Sequence, residues 1–297
     1  MNDYLVYNRN TQRLEKEVSG NISSLAFLYN SIPGKILNPV IARHFISKTY
    51  ARYVRSRRST SKIPSFIQQY SISVSDLEQS PESFSSLNDF FIRKLKSNAR
   101  PIDHNPNHLI SPADSRLFVF ALSTQHVFPV KGYWYSLGKF LKNYSLARNF
   151  SDGWCFVYRL APGDYHRFCY IDDGWQEQVH RIKGRLHSVN PIALSSVRSL
   201  MARNYRELTV LHTDNFDDVL HIEVGALMVG KVVLRNRHAV KFIKGEEKGW
   251  FEFGGSTIVQ LFKKNSIIPD ADLMDQSAKG YETLVRMGER VGCSNCI

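Results

Sequence analysis

From Asn21 to Val54 the chain reads NISSLAFLYNSIPGKILNPVIARHFISKTYARYV, with apolar positions three and four residues apart, the spacing of a helical face. Pro33-Gly34 and Pro39 interrupt it. The helical texture continues to about Phe91. In SSLNDFFIRKL, Ser86 is placed to cap a helix, and Asp89, three residues on, puts negative charge in its first turn. After Pro101 the pattern changes to strand-like runs punctuated by turns: RLFVFAL, CFVYRL, DVLHIEVGALMVGKVVL and STIVQLF. The pattern predicts an α+β fold. A helical region over residues 1–100 precedes a β-rich body of packed antiparallel or mixed sheets over residues 101–297.

One run breaks its own pattern. GWFEFGGSTIVQLF, Gly249 to Phe262, reads as a buried strand with Gly254-Gly255-Ser256-Thr257 in its middle. Glycine there costs backbone entropy and packs nothing. A bulged strand bending near a loop is one explanation. The other is chemical. Glycines free the backbone to hold a strained arrangement in which Ser256 Oγ attacks the Gly255 carbonyl, turns the peptide bond into an ester and leads to chain cleavage. The new N-terminal residue would then become a ketone, a pyruvoyl group.

Charge adds a partner. The net charge of +12 calls for something acidic. From Arg43 to Lys62 there are seven Lys or Arg residues and no acid, interleaved with Phe45, Ile46, Tyr50, Tyr53 and Val54. Such a stretch suits an anionic membrane surface; its aromatics could equally pack on their own domain. No nucleic-acid-binding motif accompanies it. No run of eighteen apolar residues occurs and the N-terminus lacks the apolar core of a signal peptide, so neither a spanning helix nor secretion is expected. The four cysteines are too few for a disulfide framework, which suits a reducing compartment. Cys293 and Cys296 form a C-x-x-C near the chain end, read either as a zinc or redox pair or as a frayed tail.

Other stretches supply groups for a base-assisted acyl shift. SPADSRLFVF puts Asp114 in a turn before a strand. RLAPGDYHRFCYIDDG turns at Pro162-Gly163 and presents Asp164, Tyr165 and His166. GRLHSVNPIAL adds His187 and Asn190, and HIEVGALMVGKVV carries Gly225 and Gly230, where backbones can approach closely.

Taken in order, YNRNTQRLEKE, SLNDFFIRKLKSNARPID, SPADSRL, DYHRF, HSVNPIAL, EVGALMVGKV, KGEEKGWFEFGGSTIVQLF and RMGERVG resemble phosphatidylserine decarboxylase proenzymes, pyruvoyl-dependent enzymes that make phosphatidylethanolamine. The resemblance covers nearly the whole chain. It implies cleavage between Gly255 and Ser256 into a large subunit, 1–255, and a small one, 256–297, headed by a pyruvoyl group made from Ser256. It implies that Asp114 belongs to the self-processing relay. His166 would serve the decarboxylation step as the acid that protonates the substrate carbon, after the substrate amine condenses as a Schiff base. Phosphatidylserine is the implied substrate, a homodimer the implied assembly, and the cytoplasmic face of the cell membrane the implied place, reached through roughly residues 22–60. No pyridoxal phosphate, metal or nucleic acid is expected.

One position departs from the pattern. Family members commonly read YHRFH, with the second histidine as relay base; here Cys169 stands in its place. A thiol with an ordinary pKa of about 8.5 is a poorer base than imidazole. Cys169 could work as a thiolate; His166, His187 or a water could substitute; or processing could have failed, leaving a non-catalytic membrane-binding relative and an inert buried thiol. A pyruvoyl decarboxylase of a soluble amino acid is a further alternative. Ser115 follows Asp114 where many relatives carry Gly, a difference confined to the turn.

Overall fold

The structure is a computed structural model and describes residues 4–17, 27, 31, 33–34, 44–123, 127–130, 133–185, 187, 200–225, 231–254 and 256–295. Gly255, Asn190, Gly230, Cys296 and most of residues 22–43 lie outside the described residues.

An 11-stranded sheet organises the fold. Its central strand, Ser256–Phe262, lies antiparallel between Asp217–Gly225 on one side and Trp154–Leu160 on the other. Beyond Trp154–Leu160 come Ser115–Ala121 and then Glu282–Val285. Beyond Asp217–Gly225 come Arg206–Thr213 and then Gly174–Gln176. All seven residues of the central strand are buried, because both faces of the sheet are covered. Ile258 and Phe262 enter one core cluster with Leu117, Phe156 and Tyr158, while Val259 and Leu261 enter another with Phe140, Leu141 and Ala147. The helices Leu137–Leu141 and Tyr144–Arg148 supply those last three side chains. A strand buried on both faces reads as a largely apolar run without alternation, which is the texture of STIVQLF, where Gln260 is buried with its neighbours.

The helical segments His44–Val54, Ile63–Tyr70 and Leu87–Phe91 build a third cluster from Val54, Ile63, Phe66, Leu87, Phe90 and Phe91. Ser86 caps the last of them, its side chain accepting from the Asp89 amide at 3.1 Å. The aromatic residue Tyr50 packs inward, with its ring 5.8 Å from that of Phe253. The basic groups of Arg52, Arg57, Arg58 and Lys62 stay exposed.

Three expectations need correction. Residues 1–100 are not helical from the start. Leu5–Asn8 and Arg13–Lys16 form a hairpin whose first strand runs parallel to Glu282–Val285, so the N-terminus completes the body's sheet. The Asn8 carboxamide accepts from the Asn10 amide, which favours a turn after an alternating strand. The long run DVLHIEVGALMVGKVVL is not one strand: Asp217–Gly225 belongs to the large sheet, and Val232–Leu234 to a three-stranded sheet with Glu247–Phe251 and Arg167–Cys169. Cys293 is not in a frayed tail, since Arg290–Ser294 pairs with Ile267–Pro269 and His108–Ile110.

Candidate active site

The faulted strand is two strands. Glu247–Phe251 belongs to the three-stranded sheet and Ser256–Phe262 to the large one, so the chain changes sheet between them. Gly254 makes that change with φ at +140°, a backbone region that residues with a Cβ rarely adopt. Ser256 therefore sits at the head of the central strand, opposite Gly225 and Leu160, and is fully buried.

His166 meets it there. The Ser256 Oγ to His166 Nδ1 distance is 3.4 Å, and both side chains are closed to solvent. The other ring nitrogen, Nε2, lies 3.0 Å from the carbonyl oxygen of Ala161. A carbonyl only accepts, so Nε2 carries the hydrogen and Nδ1 is left with a lone pair facing the serine hydroxyl. Burial, helped by the charge of Arg93, pushes the imidazole from its ordinary 6.5 down to about 3, so it is neutral at physiological pH. Phe91 stacks on the ring at 3.9 Å between centroids and holds its plane. Phe91 in turn packs on Phe253, two residues before the Gly255–Ser256 bond.

The turn from Ala161 to Tyr165 fixes the histidine. Asp164 accepts from the Ala161 amide at 2.6 Å and pairs with Arg116. Arg93 donates to the carbonyl oxygens of Gly163 and Asp164 at 2.8 and 3.0 Å.

The other expected groups are not gathered at Ser256. Asp114 is buried, but its carboxylate receives Arg100 through Nε and Nη2 at 2.6–3.0 Å and the Met287 amide at 2.9 Å. It borders a cleft of about 330 Å³ that is also lined by Arg93, Arg100, Arg116, Asp164 and Tyr165. Cys169 lies in the large core cluster with its amide donating to the Pro112 carbonyl oxygen at 2.9 Å. Burial pushes its thiol up to about 12, which disfavours the thiolate. His187 is buried, with both ring nitrogens lacking a hydrogen-bond partner among the described residues. Ser115 begins its strand as a buried residue. Among the described residues no group of three or more His, Cys, Asp or Glu side chains is placed to hold a metal ion.

Reading the sequence missed Phe91, Arg93 and Arg100. Both arginines stood inside a quoted motif, yet nothing local marks them: Arg100 meets Asp114 only because the chain folds back after Pro101. The Glu17 carboxylate, which bridges Arg116 and Arg159, was equally hidden in a polar N-terminal run.

The family model described as phosphatidylserine decarboxylase matches residues 87–293. A phosphatidylserine decarboxylase proenzyme of Clostridium novyi (strain NT) is 42% identical over 97% of this chain and 98% of its own length. Proteins of the same name from Clostridium botulinum (strain Hall / ATCC 3502 / NCTC 13319 / Type A) and Clostridium tetani (strain Massachusetts / E88) are 43% and 42% identical, over 96% and 98% of this chain and 98% of each of theirs. The chain belongs to the phosphatidylserine decarboxylase family.

Proposed function

We propose that the chain is a proenzyme that cuts itself between Gly255 and Ser256 and then decarboxylates phosphatidylserine to phosphatidylethanolamine and carbon dioxide. The observation that carries this reading is the contact of Ser256 Oγ with the free lone pair of His166 Nδ1 in a site closed to solvent. Those residues fit the precursor of a pyruvoyl group: a serine at a strand head, a base in reach, and a glycine with positive φ before it.

Self-cleavage starts as His166 Nδ1 takes the hydroxyl proton and Ser256 Oγ attacks the Gly255 carbonyl carbon. The acyl group moves from nitrogen to oxygen as an ester. Loss of the Ser256 α-proton then expels the Gly255 carboxylate, and the remaining unsaturated residue takes up water and releases ammonia to leave the ketone. The mature pyruvoyl carbonyl supplies an electron sink for the pair left when carbon dioxide departs. His166, with Nε2 committed to Ala161, keeps Nδ1 as the atom that takes a proton in processing and returns one to the substrate carbon. Asp114 acts at one remove by tying Arg100 and the loop at Met287 to the turn before its strand. Cys169 packs the core.

Intact mass of freshly purified protein under denaturing conditions tests the reading. Two chains are expected, the smaller beginning at residue 256 without a free amine. A single uncut chain with an ordinary serine would overturn it. Turnover of phosphatidylserine, and not of free serine or aromatic amino acids, then fixes the substrate.

The exposed Arg52, Arg57, Arg58 and Lys62, with the half-exposed ring of Tyr53, give the helical layer a cationic outer face. This face supports peripheral association with an anionic leaflet on the cytoplasmic side, through the helical part of residues 1–100. No helix among the described residues is long and apolar enough to cross a membrane. Flotation with anionic liposomes at low salt is the expected behaviour, weakening as salt rises.

A further inference from the structure

Asn204 is fully buried and joins three parts of the chain. Its Oδ1 accepts from the His187 amide at 3.0 Å, and its Nδ2 donates to the carbonyl oxygens of His187 and Gly225 at 2.9 Å each. Gly225 is the cross-strand partner of Ser256. The amide side chain thus pins His187 at the end of the sheet where the cleavage site lies.

The groups around this clamp are cationic and make no ion pair among the described residues. Arg185 and Arg203 are exposed, bracket the clamp through a hydrogen bond from the Arg185 amide to the Arg203 carbonyl oxygen at 2.8 Å, and have no carboxylate partner among the described residues. Arg206 is fully buried; its Nη1 donates to the carbonyl oxygens of Met201 and Asn204 and its guanidinium lies 5.0 Å from the centre of the Phe140 ring, while Nε and Nη2 make no hydrogen bond among the described residues. His187 is only 6% exposed and both its ring nitrogens lack a hydrogen bond among the described residues. Burial, helped by the charges of Arg185 and Arg203, pushes that imidazole down to about 4. Buried donors without hydrogen bonds are costly, and clustered positive charge beside them suits a place where an anion is received.

We propose that Arg185, His187 and Arg203 form a subsite for the phosphodiester of the lipid headgroup, with Arg206 and Asn204 as its positioning residues. The proposal rests on the decarboxylase reading above and names the part of the substrate that this end of the sheet holds. The distances agree. Gly225 is one strand spacing from Ser256 and the clamp one further, about 10 Å in all. The amine and phosphorus of a serine phosphodiester are four bonds apart, roughly 5 Å. An arginine side chain is long enough to span the rest, and its planar fork matches phosphate oxygens.

The test uses the processed enzyme and dihexanoyl phosphatidylserine kept monomeric, so that membrane-surface charge plays no part. The double substitution Arg185→Gln with Arg203→Gln should raise KM roughly tenfold or more, the loss of one charged hydrogen bond or more, with kcat within about twofold. Lysine at both positions should recover most of the loss. Inorganic phosphate, titrated against the parent by phosphorus NMR line broadening, should bind, and should stop binding in the double glutamine variant. Completed self-cleavage in each variant reports that the fold is intact. An unchanged KM for the monomeric lipid, or no phosphate binding by the parent, would overturn the subsite. Should the parent process itself but leave phosphatidylserine untouched, the decarboxylase reading fails and the phosphate titration alone decides the subsite.

Discussion

At the scale of single residues, processing turns on which side chain takes the Ser256 proton. Cys169 occupies the expected position, but a thiol pushed up to about 12 is protonated at every physiological pH. His166 has the geometry and the correct tautomer. His166→Ala should therefore slow self-cleavage by about a hundredfold or more, whereas Cys169→Ala should leave it within a few fold. Denaturing mass spectrometry over time reads both. The pH profile separates the candidates further. An imidazole held at about 3 is neutral across the accessible range, so the cleavage rate should stay level from pH 5 to pH 8. A fall below pH 6.5 would mean an ordinary histidine, and a rise toward high pH would mean a thiolate.

At the scale of elements, the question posed by two glycines in an apolar run has a structural answer. The run is two strands in two sheets, and Gly254 supplies the turn between them. Gly254→Ala forces a Cβ into a positive-φ position and should cost about 1–3 kcal/mol, seen in urea unfolding, together with slower cleavage. How much of this was legible follows from the physics of each segment. The strands Ser115–Ala121, Trp154–Leu160 and Ser256–Phe262 show in the sequence because burial on both faces leaves continuous apolar runs. The hairpin Leu5–Asn8 and Arg13–Lys16 does not, because it lies at the sheet's edge, where short half-exposed strands carry little pattern. Ser256 and His166 could be singled out from GGST and DYH, but their pairing is a tertiary event. Cys169 was legible as a departure, and its inertness became visible only with the burial around it. Tyr50, divided in the sequence between membrane and core, goes to the core because Phe253 offers it a ring.

At the scale of the whole molecule, the small subunit would keep two interior strands of the large sheet after cleavage, Ser256–Phe262 and Glu282–Val285. The second also carries Glu282, which pairs with Arg159 and closes a buried ion network with Glu17. The cut chains should therefore co-elute in native gel filtration and separate only in denaturant. The same buried centre sets the response to acid. Burial keeps the His166, His187 and His221 imidazoles neutral, the first at about 3, the second at about 4 and the third well below its ordinary 6.5. The unfolded chain takes up a proton on each once pH drops below 6.5, while the folded chain does not. Stability is thus fully present above pH 6.5 and is lost as pH falls, by about 1.4 kcal/mol per unit for each histidine. Asp164 and Glu223, raised by burial, protonate first in the folded state and oppose this trend only nearer the carboxylate range. Urea midpoints should drop between pH 7.5 and pH 5.5, and His166→Phe together with His221→Phe should make that slope shallower, leaving the share of His187; a midpoint constant over the interval would show that these imidazoles are charged in the folded protein.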